Sequence, residues 1–221
     1  MNQRLPHLLL GGYVVLFGAL AIEPYSRAVW WAENIPIVLI VAGLAATFGR
    51  FRFSNMAYAM MSVLVYMHTI GGHYTFERVP FGFVTDLFGF ERNHYDRIAH
   101  FSVGFYAYAV AELCVRKRWV ASRLVVALFP VFAIFTVAAV YEIIEWLYAV
   151  SSDPTAGTAF LGSQGDIWDA QKDMLADGLG SIVATALFFA VERNQLSHQP
   201  ARPGRTRSRW ASTWTRSERE R

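Results

Sequence analysis

Apolar residues in this chain form six runs, separated by short polar and charged connections. A helix needs about 20 apolar residues to cross the hydrocarbon core of a bilayer. The second and third runs are shorter, but Trp30 and Trp31 can extend the second through the interface, where Trp is favoured. The pattern predicts an all-α polytopic membrane protein, a bundle of six transmembrane helices within residues 1–192. The runs are Leu5–Ile22, Ile35–Phe48, Met56–Ile70, Ile98–Val115, Leu124–Val150 and Leu175–Val191.

Basic and acidic residues are distributed unevenly over the connections. With six spans, 15 of the 20 Lys and Arg residues lie on the side of the two termini, and 13 of the 17 acidic residues lie on the other. Cytoplasmic loops are enriched in Lys and Arg, so we predict a multi-pass protein of the bacterial inner membrane with cytoplasmic N- and C-termini. Because Glu23-Pro24-Tyr25 is a poor cleavage site, we interpret the first run as a retained helix rather than a signal peptide.

The C-terminal segment, residues 193–221, is rich in Arg, Ser and Pro. This composition predicts a disordered basic cytoplasmic tail. Topology and attraction to anionic lipid account for its charge, so the expected partner is the lipid bilayer and not nucleic acid. The single cysteine, Cys114, excludes an internal disulfide.

Ionisable residues gather at the outer ends of the third to sixth runs, so the topology places them at one membrane face. Their spacings of three and four are helical, which puts the members of each pair on one face of a helix. A charged side chain inside a bilayer costs at least about 2.5–3.5 kcal/mol at the centre of a helix. Clustered carboxylates persist when they share protons, pair with cations or bind a metal.

The cluster predicts a site for one divalent ion, Zn, Mn or Mg, because imidazole and carboxylate ligands suit these metals. A remaining carboxylate would act as general base, and a basic residue would bind an anionic head group. The predicted metal ligands are His100, Asp96, Asp173, Asp177 and His68, the predicted catalytic residues are Glu142 and Glu145, and the predicted substrate-binding residues are Arg97 and Lys172.

Each motif also has a structural interpretation. Asp96 could cap the fourth helix, and Glu142 could form an ion pair with Arg97. Asp166 and Asp169 could be solvated residues before an acidic first helical turn. The sequence contains no Walker loop, no G-x-S-x-G motif, no His-Glu-x-x-His motif and no cysteine pair, which excludes the corresponding enzyme classes.

Four segments of the chain resemble the YjdF family of bacterial inner-membrane proteins, with a match over about Pro6 to Val191. The resemblance implies a polytopic inner-membrane fold and implies no reaction. The matching segments are Gly72-His73-Tyr74-Thr75-Phe76, His94-Tyr95-Asp96-Arg97-Ile98-Ala99-His100-Phe101, Tyr141-Glu142-Ile143-Ile144-Glu145-Trp146 and Gly165-Asp166-Ile167-Trp168-Asp169-Ala170-Gln171-Lys172-Asp173-Met174.

A weaker likeness is to VanZ-like membrane proteins, which are associated with glycopeptide-antibiotic resistance. Their Asp-Lys-x-x-His-Phe motif is similar to Asp96-Arg97-x-x-His100-Phe101, with Arg in place of Lys. Glu142 or Glu145 looks like the counterpart of their Glu on the next helix, and Asp173 with Asp177 like that of their spaced acidic motif on the last. The last helix departs from the VanZ pattern around its polar residues.

These observations lead to a functional hypothesis with two alternatives. We predict an inner-membrane protein with a periplasm-facing His/carboxylate site, acting as a metal-dependent hydrolase on a lipid or envelope precursor. The first alternative is a proton- or ion-coupled small-molecule transporter, since buried Asp, Glu and His also form proton relays. The second is a non-catalytic envelope protein whose cluster is a structural ion network.

Overall fold

The computed structural model describes residues 4–152, 154–161 and 163–192, and in these ranges all regular secondary structure is helical. The predicted tail, residues 193–221, lies outside the described residues. Met1–Ala190 form one compact unit; of the second, Val191–Arg221, only Val191 and Glu192 are described. The helices in the described ranges are α1 (Arg4–Leu20), α2 (Arg27–Thr47), α3 (Asn55–Tyr74), α4 (Gly82–Phe88), α5 (Tyr95–Val103), α6 (Tyr106–Arg116), α7 (Arg123–Ser151), α8 (Pro154–Leu161) and α9 (Asp169–Val191).

Four helical segments of the described chain are long and apolar enough to cross a membrane: α2, α5 with α6, α7 and α9. The first helix has 17 residues and is shorter. α3 has 20 residues, and it packs against α1, α2, α5 and α6. Because α3 contacts protein on several sides, it can be less apolar than a helix surrounded by lipid. The all-helical membrane architecture is therefore confirmed, whereas the count of six spans stays a prediction.

The outer surface of the longest helix is apolar. Leu128, Phe132 and Val140 of α7 are all exposed. A contiguous apolar surface of this kind marks contact with lipid or protein in a chain with membrane-spanning helices. Polar side chains are instead found in the interior, where Glu33, Asp96 and their neighbours are buried.

Two helices begin before the apolar runs that indicated them, because charged residues interrupt the apolar pattern without ending the helices. α2 begins at Arg27 rather than Ile35, after Ser26, whose hydroxyl accepts a hydrogen bond from the Val29 amide at 3.4 Å. Glu33 is consequently a helical residue. α9 begins at Asp169 rather than Leu175, so its acidic residues lie on the helix itself.

A close contact between two glycines joins α9 to the junction of α5 and α6. A Cβ atom on Gly180 would overlap the Phe101 carbonyl oxygen, and a Cβ on Gly104 would overlap the backbone of Gly180 and Ser181. The predicted single helix Ile98–Val115 is interrupted at this contact, between α5 and α6. Glycine thus lets the two backbones approach closely, which brings the polar faces of α5 and α9 together.

The two long connections at the predicted outer face each contain a short helix. α4 lies in the connection between α3 and α5, and α8 lies between α7 and α9. α8 folds back against α7 and also contacts α2. Its Phe160 side chain is buried, with its ring 4.3 Å from that of Tyr148.

Candidate functional site

Polar residues from five helices line one cavity of about 170 Å³. Because successive helices run in opposite directions, the contributing segments lie at the same end of the bundle: the starts of α2, α5 and α9 and the last thirds of α3 and α7. Apolar side chains such as Ile37, Leu64 and Val103 also line the cavity. The polar lining residues are Glu33, His68, Asp96, His100, Tyr141, Glu145 and Asp177.

His100 lies between two carboxylates that come from different helices. Its Nε2 atom is 3.7 Å from Asp96 Oδ1, one turn earlier on α5, and 3.9 Å from Asp173 Oδ1 on α9. These distances are too long for hydrogen bonds. They are close to the ligand–ligand separation of about 3.4 Å in a tetrahedral site with bonds of about 2.1 Å. One potential ligand atom from each of the three residues lies within 4.8 Å of the others, so this group can hold a metal ion.

The other ring nitrogen of His100 faces a third carboxylate. His100 Nδ1 is 3.4 Å from Asp177 Oδ2, and Asp177 is 1% exposed. The second oxygen, Asp177 Oδ1, is buried without a hydrogen-bond partner. Metal-binding histidines commonly place their second nitrogen against a carboxylate in this way. The structure thus brings together four of the five predicted ligands, with Asp177 on the opposite side of the ring from Asp96 and Asp173.

The fifth predicted ligand, His68, belongs to a different part of the lining. Its Nε2 atom is 2.9 Å from Glu33 Oε2, and the Tyr141 hydroxyl donates to that same oxygen at 3.1 Å. Sequence reasoning missed Glu33 and Tyr141 as site residues. The signal for Glu33 was a carboxylate seven residues into α2, but it was assigned to a connection because the apolar run begins at Ile35.

The two predicted catalytic carboxylates lie on one face of α7, in different settings. Glu145 lines the cavity. Glu142, one turn earlier, interacts electrostatically with His100, Asp173 and Asp177, and its Oε1 atom is buried without a hydrogen-bond partner. Glu145 therefore shares the cavity with Asp96 and His100, and the catalytic role of both carboxylates stays a prediction.

The two predicted substrate-binding cations already have protein partners. Arg97 Nη1 donates to Asp173 Oδ1 and Arg97 Nη2 to Asp169 Oδ1, each at 2.5 Å. Lys172 Nζ donates to Asp166 Oδ2 at 2.6 Å. Arg97 thus holds Asp173 in place, and its observed carboxylate partners are on α9 and the preceding turn rather than Glu142.

A neighbouring arginine was missed by sequence reasoning because it lies in the connection between α4 and α5. Arg92 Nη1 donates to Asp169 Oδ1 at 2.8 Å, while its Nε and Nη2 atoms are buried without hydrogen-bond partners. Asp169 is buried between the two arginines, which does not agree with a solvated role. Asp96 is also buried, and the position before α5 is His94 rather than Asp96, so Asp96 is not the helix cap.

Two groups in the connections before α5 and α9 have perturbed pKa values. Burial lowers the pKa of His94, and the positive charges of Arg92, Arg97 and Lys172 lower it further. The hydrogen bond from Lys172 lowers the pKa of Asp166, assisted by one from the Trp168 amide. Near neutral pH His94 is therefore uncharged and Asp166 is ionised.

The fold and the cavity define a class of protein: an integral membrane protein of packed helices with buried carboxylates and imidazoles at one end of its bundle. Residues 5–194 match the model of a family described as "Predicted membrane protein (DUF2238)". The chain belongs to this family.

One curated relative supports the same assignment. The chain is 35% identical over 171 residues to the inner membrane protein YjdF of Escherichia coli (strain K12), an alignment covering 76% of this chain and 81% of the relative. The predicted resemblance to YjdF is confirmed, and the likeness to VanZ-like proteins stays a prediction. No solved structure matches the chain.

Proposed function

We propose that this protein is a metal-dependent hydrolase of the inner membrane that acts on a lipid or envelope precursor. The observation that carries the proposal is the position of His100, with Nε2 facing Asp96 and Asp173 and Nδ1 facing Asp177. A divalent ion at this place would lower the pKa of a bound water and supply a nucleophile near neutral pH.

The chain's own residues would divide the remaining work. Asp96, His100 and Asp173 would ligate the ion, Zn, Mn or Mg, and Asp177 would fix the imidazole orientation. Glu145, which lines the cavity, or Glu142 would take the proton of the attacking water and return it to the leaving group. Arg97 would act mainly by holding Asp173.

The proposed topology has six spans, with α1 and α3 crossing beside the four longer segments and both termini in the cytoplasm. It places the cavity at the periplasmic end of the bundle. In this arrangement the apolar part of the lining, including Ile37 and Leu64, would receive the hydrocarbon portion of the substrate. Arg92, whose Nε and Nη2 lack hydrogen-bond partners, is a better candidate for an anionic head group than Lys172.

The two alternatives have less support. A transporter needs polar residues along the whole path, but the buried carboxylate that the described residues place at the other end, Glu112, is bound by Ser54 and Arg116. A purely structural network would leave few buried oxygens unpaired, whereas Glu142 and Asp177 each have one.

The test is metal content followed by hydrolysis. The full chain is purified in detergent, its bound metal is measured, and the measurement is repeated with His100→Ala and Asp173→Ala. Phospholipid and isoprenoid-phosphate substrates in mixed micelles are then assayed with the metal that was found. We expect bound metal and activity in the unmodified protein, and less bound metal and no activity in the two variants. Identical trace metal in all three samples would contradict the proposal.

A further inference from the structure

Glu33 and His68 form a second group of potential ligands in the same cavity, apart from the group around His100. Glu33 is 2% exposed and His68 is 8% exposed. Close packing fixes Glu33, since a Cβ atom on Gly72 of α3 would lie 2.9 Å from Glu33 Cβ and 2.8 Å from Asn34 Nδ2. The two side chains therefore meet at a fixed position between α2 and α3.

The contact between them does not satisfy the imidazole. His68 Nε2 is 2.9 Å from Glu33 Oε2, yet it is a buried atom without a hydrogen-bond partner. The Nε2 atom of His68 therefore does not point at Glu33 Oε2 at the angle that an N–H···O hydrogen bond requires. Two ligands of one octahedral ion with bonds of about 2.1 Å lie about 3.0 Å apart and direct their lone pairs at the ion rather than at each other. The observed separation fits that arrangement.

Charge balance in the cavity points the same way. The described residues that line it include four carboxylates and two histidines, but no lysine or arginine. One divalent ion near His100 would balance two of these carboxylates. Glu33 and Glu145, which interact electrostatically, would remain without a cation, and burying uncompensated negative charge is costly.

We propose that the cavity holds a second divalent cation, bound by Glu33 and His68 with Glu145 as a further ligand, so that the site is binuclear and Glu142 is left as the general base. Tyr141, whose hydroxyl donates to Glu33 Oε2, orients the carboxylate as a positioning residue. This inference rests on the proposed metal site at His100. It narrows the substrate class to phosphate esters of lipids, since paired metal ions stabilise the attacking and leaving oxygens of such a displacement.

The test counts ions and does not depend on activity. The full-length protein in detergent is stripped with a chelator and titrated with Mn²⁺, and bound manganese per chain is measured by mass spectrometry. Electron paramagnetic resonance reports spin coupling between neighbouring ions. We expect two ions and a coupled signal in the unmodified protein, and one ion with an uncoupled signal in Glu33→Gln, His68→Asn and His100→Ala.

Glu77→Gln is the matched control, because Glu77 lies in the connection after α3 and pairs with Arg78; it should retain both ions. Circular dichroism verifies folding, and Tyr141→Phe offers a milder change that should weaken the second ion about 10-fold or more. One ion in the unmodified protein that persists in Glu33→Gln and disappears in His100→Ala would overturn the second site and leave the proposed function standing. No bound ion in the unmodified protein would overturn both.

Discussion

Two regions of this molecule bury carboxylates among packed helices, and they do so differently. At the ends of α3 and α6, Glu112 accepts hydrogen bonds from the Ser54 amide at 2.8 Å and from the Ser54 hydroxyl at 2.7 Å, and it pairs with Arg116. We call Ser54, Glu112 and Arg116 the Glu112 cluster. At the other end of the bundle, Asp177 of the cavity lining and Glu142 of α7 each keep an oxygen without a hydrogen-bond partner.

The difference separates a structural carboxylate from candidate functional ones. Glu112 has donors for both oxygens, and Ser54, which provides two of these donors, also caps the start of α3. The burial of Glu112 is therefore explained by the fold itself. The cavity carboxylates outnumber the basic side chains that reach them. A buried negative charge without a partner is unfavourable unless a bound cation compensates it. The comparison therefore predicts that substitution of Glu112 lowers stability and leaves metal binding unchanged. Substitution of the cavity carboxylates and histidines should instead lower metal binding and activity.

The largest expected effect is the loss of the ion bound at His100, and of activity, in His100→Ala. Removing the imidazole leaves Asp96 and Asp173 without their shared neighbour, so we expect hydrolysis to fall more than about 10³-fold, since metal catalysis is worth several kcal/mol. Metal content and turnover of the purified variant test this. Unchanged metal content would contradict the comparison, because the cavity carboxylates would then need no bound ion, like the carboxylate of the Glu112 cluster.

Glu112→Ala should act on stability alone. It leaves the Ser54 amide without its acceptor and Arg116 without its partner, which we expect to cost about 2–3 kcal/mol. Denaturant unfolding in mixed micelles measures the loss, and metal content per folded chain should not change. A loss of bound metal without a loss of stability would contradict the structural role.

Gly180→Ala tests whether the approach of α5 and α9 creates the cavity geometry. The new Cβ would overlap the Phe101 carbonyl oxygen, so we expect about 1–3 kcal/mol of destabilisation together with weaker metal binding. Gly11→Ala is the matched control, since a Cβ there meets nothing within 4 Å. Equal melting temperatures and metal affinities for the two variants would argue against the close contact.

Asp177→Asn should preserve the fold and weaken the metal. The amide is similar in size but no longer stabilises the correctly oriented imidazole, and loss of such an outer partner costs about 10–100-fold in affinity or activity. Competition with a metal-sensitive dye measures the affinity. A drop as large as that of His100→Ala would instead identify Asp177 as a ligand.

The smallest expected effect concerns Asp166 in the turn before α9. Its pKa is lowered from its ordinary value of 3.8, chiefly by the hydrogen bond from Lys172. A lowered pKa contributes stability above pH 3.8 that is lost as the pH falls through the lower folded-state pKa. At pH 7 the Asp166→Asn variant should therefore have a slightly lower melting temperature than the unmodified protein. At low pH the two melting temperatures should be equal. A difference that persisted at low pH would contradict the electrostatic origin.

Part of the site could be predicted from the sequence because it depends on local geometry. Asp96 and His100 are four residues apart, and Asp173 and Asp177 are also four apart, so helix formation alone puts each pair on one face. The alternation of the helices then places these faces at the same end of the bundle. Glu33 and Arg92 could not be predicted this way, because their positions depend on the start of α2 and on the path of a connection.

The sequence by itself determined an all-helical membrane protein of the YjdF type, because long apolar runs form helices in lipid and their polar motifs recur at fixed helical spacing. Only the tertiary structure decided which carboxylates lie in the same cavity. It paired Arg97 with Asp169 and Asp173, and it turned His68 toward Glu33. The physical reason is that side-chain partnership across helices depends on how closely the backbones approach, as at Gly104 and Gly180, and no spacing along the chain encodes that distance.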